Sequence, residues 1–349
     1  MILYIFMACG ANITNTPPNT YDEQNDIKSD ITENNTEENT NDVSNTENEN
    51  VEETNTEEDS SNSSDTNSEE SENSSTELPS DLMDYSLPGS YTYTSTNSTA
   101  TVTNCMSGLS YTVYTPDSTE DLPVVILGHG FLRGGEKMFG WAEHLASWGI
   151  KTVVPTLCHY NILNGVDHEM NGQNMVELAE IVGAETPIYA GQSAGGLAAI
   201  IAASIDAAAL GVVGLDATDT AGIPGIPDNI GLNYISNITT PAFALVGEPS
   251  TCNSNNNGVT MYDGIANSHI VRVTDSDHCD YESPTDWGCE SFCLNEGTTL
   301  SDDDIRPLIK QLGTAAIILI AGNQAEAQDV WNTDNLSILE SNGVISILK

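Results

Sequence analysis

The sequence predicts an α/β protein with a central, mostly parallel sheet covered on both faces by helices and preceded by a long disordered tail. Three observations carry that expectation. Short apolar runs alternate with helically spaced segments from about residue 124 onward, the rhythm of strands joined by crossover helices. Two stretches of polar–apolar alternation come before them, as half-exposed antiparallel strands do. Composition also breaks sharply near residue 80.

The chain has 349 residues and a formal net charge of −44, and residues 1–80 hold 20 of its 52 acids but one base, Lys28. From Asn12 to Ser80 the sequence is almost wholly Asn, Thr, Ser, Glu and Asp. Such a segment cannot bury enough apolar surface to offset its ordering entropy, so residues 10–80 are expected to be a disordered, solvated linker. Its Asn-x-Ser/Thr triplets follow from composition alone. Residues 81–349 suit one domain, itself acidic, which argues against nucleic acid or an anionic membrane surface as partner.

At the start, Phe6-Met7-Ala8-Cys9 resembles a bacterial lipobox, although no basic region precedes it and the apolar stretch is short. The resemblance implies a signal segment over residues 1–9 and a lipid anchor at Cys9. The linker would then tether an exported protein, on the cell surface or outer membrane or, alternatively, secreted. No segment approaches the ~20 apolar residues of a spanning helix, and Leu312–Ala321 reads as a core helix. Six cysteines remain in the domain (Cys105, Cys158, Cys252, Cys279, Cys289 and Cys293), an even count that points to as many as three disulfides in an exported protein. Cys289-x-x-x-Cys293 has the form of a zinc half-site, but no second cluster of matching spacing accompanies it, so no metal is expected.

The elements follow in order. Ser90–Ser95 and Leu109–Thr115 alternate as antiparallel strands. Val124–Leu127 is a continuous apolar run, expected of a strand buried on both faces. Met138, Trp141, Leu145 and Trp148 have helical spacing and end at Gly149. Strand Lys151–Leu157, helix Met175–Val182, strand Pro187–Ala190 and helix Gly195–Ile205 continue the alternation. Strands Gly211–Leu215, Ala242–Val246 and Ile270–Thr274 follow, and Asp302–Asp304 open a helix towards Ile320 with negative charge at its positive end. On such a sheet, functional residues belong in loops beyond the carboxyl ends of the strands.

The chemistry gathers at Gly191-Gln192-Ser193-Ala194-Gly195, a G-x-S-x-G between an expected strand and an expected helix. That context makes Ser193 a candidate nucleophile on a sharp turn, with Gly191 and Gly195 allowing the backbone to fold tightly around it. A serine hydroxyl needs a base to take its proton. His278, just after the last strand of the series, has the right place, whereas His269 precedes that strand and His144 lies mid-helix. His159 and His168 follow the fourth strand, either lining the site or facing solvent. A carboxylate between serine and histidine should orient the base: Asp216 ends the strand after the elbow helix, Glu248 follows the next strand, and Asp219 is a lesser option. The oxyanion donors are expected at the Ala194 N–H and, from Gly128-His129-Gly130-Phe131, the Phe131 N–H, with His129 holding that loop in place.

Gly128-His129-Gly130-Phe131, Gly191-Gln192-Ser193-Ala194-Gly195-Gly196, Gly214-Leu215-Asp216 and Thr274-Asp275-Ser276-Asp277-His278 together resemble the chlorophyllase-like branch of the α/β-hydrolase superfamily. Secreted polyester hydrolases and platelet-activating-factor acetylhydrolases are related groups. The resemblance spans Leu122 to Ile320 and implies an α/β-hydrolase fold and a serine ester hydrolase without cofactor. Its substrate would be a small-molecule, lipid or polymer ester, and the enzyme a monomer. In the chlorophyllase and acetylhydrolase groups the acid follows the strand directly after the elbow helix, which favours Asp216; the polyester hydrolase pattern favours Glu248. Polyester hydrolases usually carry His or Trp before the nucleophile and Met after it, where this chain has Gln192 and Ala194. Two other readings share these residues: acyl transfer to an acceptor other than water, and a binding or surface protein on an inactive hydrolase scaffold.

Overall fold

The structure, a computed structural model, describes residues 82–161, 165–293, 300–322 and 325–349. The expectations for Cys9 and for the linker lie outside the described residues.

Eleven strands and eight α-helices are seen among the described residues. In chain order they are β1 (Tyr93–Ala100), β2 (Leu109–Pro116), β3 (Val124–Gly128), α1 (Phe139–Ser147), β4 (Lys151–Pro155), β5 (Tyr160–Asn161) and β6 (Gly165–Val166). Next come α2 (His168–Ile181), β7 (Pro187–Gln192), α3 (Ala194–Ile205), β8 (Gly211–Leu215), β9 (Ala242–Val246), α4 (Asn257–Asp263) and β10 (Ser268–Val273). The chain ends with α5 (Trp287–Cys293), α6 (Asp302–Ile320), α7 (Ala325–Val330), α8 (Thr333–Ser341) and β11 (Ile345–Ile347). Nine strands form one sheet in the order β1-β2-β4-β3-β7-β8-β9-β10-β11. Pairing is parallel from β4 through β10 and antiparallel at both margins, where β1, β2 and β11 sit. The protein is therefore α/β, with a mixed, mostly parallel sheet flanked by helices.

The central strands are apolar on both faces because helices cover both. Every residue of β3, β7, β8 and β9 is buried. On one face Trp141 and Leu145 of α1 pack with Ile309 and Leu312 of α6 over Val125, Leu127 and Phe243. On the other, Leu197 and Ile200 of α3 and Leu178 of α2 pack over Ile126, Tyr189 and Val212. Helix α3 is apolar almost all round, so it lies inside the layer, between the sheet and α2. The stretch read as a core helix is part of α6, and among the described residues no helix is long and apolar enough to cross a membrane.

Several boundaries differ from expectation. The first strand is Tyr93–Ala100 instead of Ser90–Ser95, because its pairing with β2 runs on to Ala100↔Leu109. The fourth strand stops at Pro155, ahead of Leu157. Helix α2 begins well before Met175, since Asp167 caps it by accepting from the Met170 N–H at 2.9 Å. The β5–β6 hairpin, α4, α5, α7, α8 and β11 had no counterpart in the sequence reading. Each is short, and β11 exists through antiparallel pairing with β10, a long-range contact without a local signature.

Six cysteines pair as Cys105–Cys158, Cys252–Cys293 and Cys279–Cys289. The sulfurs of Cys279, Cys289 and Cys293 lie within 4.8 Å of one another, a clustering that two adjacent disulfides account for.

Candidate active site

Ser193 sits between β7 and α3 at φ 55°, ψ −125°, in the left-handed half of backbone space. Such a conformation costs a non-glycine residue on the order of 1–3 kcal/mol and persists only where surroundings enforce it. Here the Ser193 N–H donates to Leu215 O at 3.1 Å, and the Ser193 carbonyl accepts from the N–H groups of Gly196 and Thr218 at 2.9 and 3.1 Å. Close approach makes the glycines necessary: a Cβ on Gly191 would overlap the Gly195 backbone, and one on Gly195 would overlap that of Gly128. The elbow therefore rests directly on the end of β3.

His278 is brought to the same place by the loop after β10. Its Nδ1 donates to Asp216 Oδ2 at 2.6 Å, and both side chains are buried. Asp216 follows β8 with φ 45°, a conformation aspartate tolerates better than most residues. Its carboxylate also accepts from the Gly247 N–H at 3.0 Å and from Asn253 Nδ2 at 3.1 Å. Asn253 is fully buried and joins the whole loop after β9: its Oδ1 accepts from the N–H groups of Ser250 and Asn256, while Nδ2 also donates to Glu248 O. Sequence reading missed Asn253; the asparagine-rich run from Asn253 to Asn257 was its available signal.

Glu248 is turned away from His278. Its Oε1 accepts from the Asp275 N–H at 3.4 Å and its Oε2 lies 3.8 Å from Arg272 Nε. Asp219 is engaged elsewhere as well, its Oδ1 accepting from the N–H groups of Thr220 and Gly231, and burial raises its pKa above the usual carboxylate value. Of the three candidate acids, the structure brings only Asp216 to the histidine.

The loop after β3 crosses the elbow. A Cβ on Gly130 would lie 3.2 Å from Ser193 Cβ and would overlap the Gln192 side chain. His129 is completely buried and braces this loop: Nε2 accepts from the Leu157 N–H and Nδ1 donates to Gly130 O, both at 2.9 Å. Leu157 supplies a donor, so Nδ1 must carry the proton. Burial pushes the His129 pKa down to about 4, which keeps the ring neutral at pH 7. The Arg133 N–H also donates to Gly130 O, at 3.2 Å. In a trans peptide the C=O and N–H point in opposite directions, so anchoring this carbonyl turns the Phe131 N–H to the other side. The Phe131 ring meets His168 edge-on, with centroids 6.3 Å apart. His168 is buried and burial pushes its pKa down to about 4, so of the two options it takes the interior one. Ala194 is the first residue of α3, where helix N–H groups have no intrahelical acceptor.

Two further histidines, His144 and His269, lie apart. His144 in α1 bonds through Nε2 to Tyr85 O at 2.9 Å. His269, second residue of β10, stacks on Phe243 at the opposite end of the sheet from His278. An open groove of about 290 Å³ at the β1–β2 margin touches none of the residues around Ser193.

The segment carrying His278 is tied down many times. Asp277 Oδ1 accepts from the N–H groups of Cys279 and Asp280, and Asp280 Oδ2 accepts from the Asp277 N–H. Arg306 donates to Asp280 at 3.0 Å, and Arg133 makes a two-pronged contact with Glu282 at 2.7 Å on each side. Disulfides fasten Cys279 and Cys252, neighbours of His278 and Asn253, to the two cysteines of α5. Neither protein-family models nor curated proteins give a match to this chain.

Proposed function

We propose that the protein is a serine hydrolase of carboxylic esters, of α/β-hydrolase fold and nearest in type to the chlorophyllase-like branch. The observation that carries the reading is the 2.6 Å contact between His278 Nδ1 and Asp216 Oδ2, formed beside a serine on a left-handed turn between strand and helix. Ser193 Oγ attacks the ester carbonyl while His278 Nε2 takes its proton, and Asp216 holds the ring and stabilises the imidazolium. The Phe131 and Ala194 N–H groups receive the oxyanion, aided by the positive end of α3. Collapse expels the alcohol with the proton from Nε2, leaving an acyl-enzyme that water hydrolyses by the same route. The three disulfides support an exported protein, in keeping with a signal segment and a lipid anchor at Cys9.

A fluorophosphonate probe tests the mechanism. Wild type is expected to be labelled on Ser193, and Ser193→Ala to be unlabelled and inactive on a panel of esters of graded chain length. No labelling of wild type, or equal labelling of Ser193→Ala, overturns the reading.

A further inference from the structure

The residue before the nucleophile makes an unexpected contact. Gln192 is 1% exposed, and its Nε2 lies 3.2 Å from His278 Nε2 and 3.2 Å from His278 O. A carbonyl oxygen only accepts, so the contact with His278 O fixes the amide with its NH₂ towards the histidine. The second hydrogen of that NH₂ then points at Nε2. Because Nδ1–H is engaged by Asp216, Nε2 carries one lone pair, and Gln192 occupies it. Among the described residues the Ser193 hydroxyl makes no hydrogen bond to His278. Meanwhile Gln192 Oε1 is buried against Gly130 and has no hydrogen-bond partner among the described residues. An orphaned acceptor is a cost that an apolar side chain of similar size would avoid, so packing alone does not account for glutamine here.

Resting on the reading of Ser193 and His278 as nucleophile and base, we infer that Gln192 is a positioning residue that holds His278 in a resting arrangement off the nucleophile. Its amide competes with the Ser193 hydroxyl for the single Nε2 lone pair. An ester entering the site must therefore break the Gln192–Nε2 contact before proton transfer begins. The same amide touches the oxyanion loop through Gly130, so movement of that loop on binding is transmitted directly to the base.

The test is the second-order rate constant for fluorophosphonate inactivation, normalised to the final amount of labelled Ser193 so that unfolded protein does not count. Gln192→Met keeps the bulk and removes the donor, and inactivation is expected to quicken by about 3- to 10-fold, the scale of one net hydrogen bond. Gln192→Leu, with a shorter side chain, should act in the same direction. Gln192→Glu replaces the donor by an acceptor that draws a proton onto Nε2 and fills the lone pair, so inactivation should slow. A merely structural glutamine predicts slowing in all three variants. Unchanged or slower inactivation in both Gln192→Met and Gln192→Leu overturns the inference while leaving Ser193 as nucleophile. Absence of labelling in wild type overturns the hydrolase reading itself.

Discussion

At the scale of single residues, the choice between two carboxylates rests on which donors reach each one. Asp216 is held by the Gly247 N–H and Asn253 on one side and offers Oδ2 to His278 on the other, whereas Glu248 faces Arg272 and Asp275. Asp216→Asn is expected to keep the fold and lower kcat by about 10²- to 10⁴-fold, through the wrong imidazole tautomer. Glu248→Gln should stay within about threefold of wild type, since it loses only a long, half-buried ion pair. Steady-state kinetics on one ester decides, and the opposite ranking would exchange their roles. Ser193 and His278 were legible because each sits in a short local pattern at a strand end. Asn253 and the Gln192–His278 contact were not, because both depend on how loops distant in sequence meet.

At the scale of elements, the short helix α5 fastens the site. Its Cys289 and Cys293 bridge to the residues beside His278 and Asn253, so one helix ties together the segment that carries His278 and the loop that braces Asp216. With a sequence separation of 41, the Cys252–Cys293 bridge contributes up to about 4 kcal/mol by loop closure. Cys252→Ser/Cys293→Ser is therefore expected to lower the melting temperature by several degrees and to lower kcat through a looser Asn253. A fall in melting temperature without any change in kcat would show that α5 stabilises without positioning. The parallel core was readable from uninterrupted apolar runs such as Val124–Leu127 and Gly211–Leu215. Helix α5 was not, since seven residues are too few for a periodic pattern to decide, and its place is set by covalent bonds that the spacing of cysteines does not reveal.

At the scale of the whole molecule, buried histidines tie stability to pH. Burial lowers the pKa of His129, His144 and His168 from 6.5 to about 4. Between those values the unfolded chain binds protons that the folded one refuses, so their contribution is present above pH 6.5 and is lost as pH falls to about 4. Each accounts for about 3 kcal/mol of that loss, by order of magnitude. Relief of repulsion among the many acids acts in the opposite direction, so the comparison must be made between variants. The drop in melting temperature from pH 7 to pH 4.5 is expected to be smaller in His144→Gln, which keeps a donor for Tyr85 O, than in wild type; equal drops would refute the buried neutral histidine. The disulfides also divide the working parts by topology. One covalent ring, closed between Cys105 and Cys158, contains the loop after β3; a second, closed between Cys252 and Cys293, contains His278 and encloses the smaller ring from Cys279 to Cys289. Ser193 and Asp216 belong to neither ring. An oxidised chain that loses its sheet thus keeps the segments around Gly130 and His278 inside closed covalent loops, while the stretch from Ser193 to Asp216 is held by the pairing of β7 with β8 and has no covalent closure of its own.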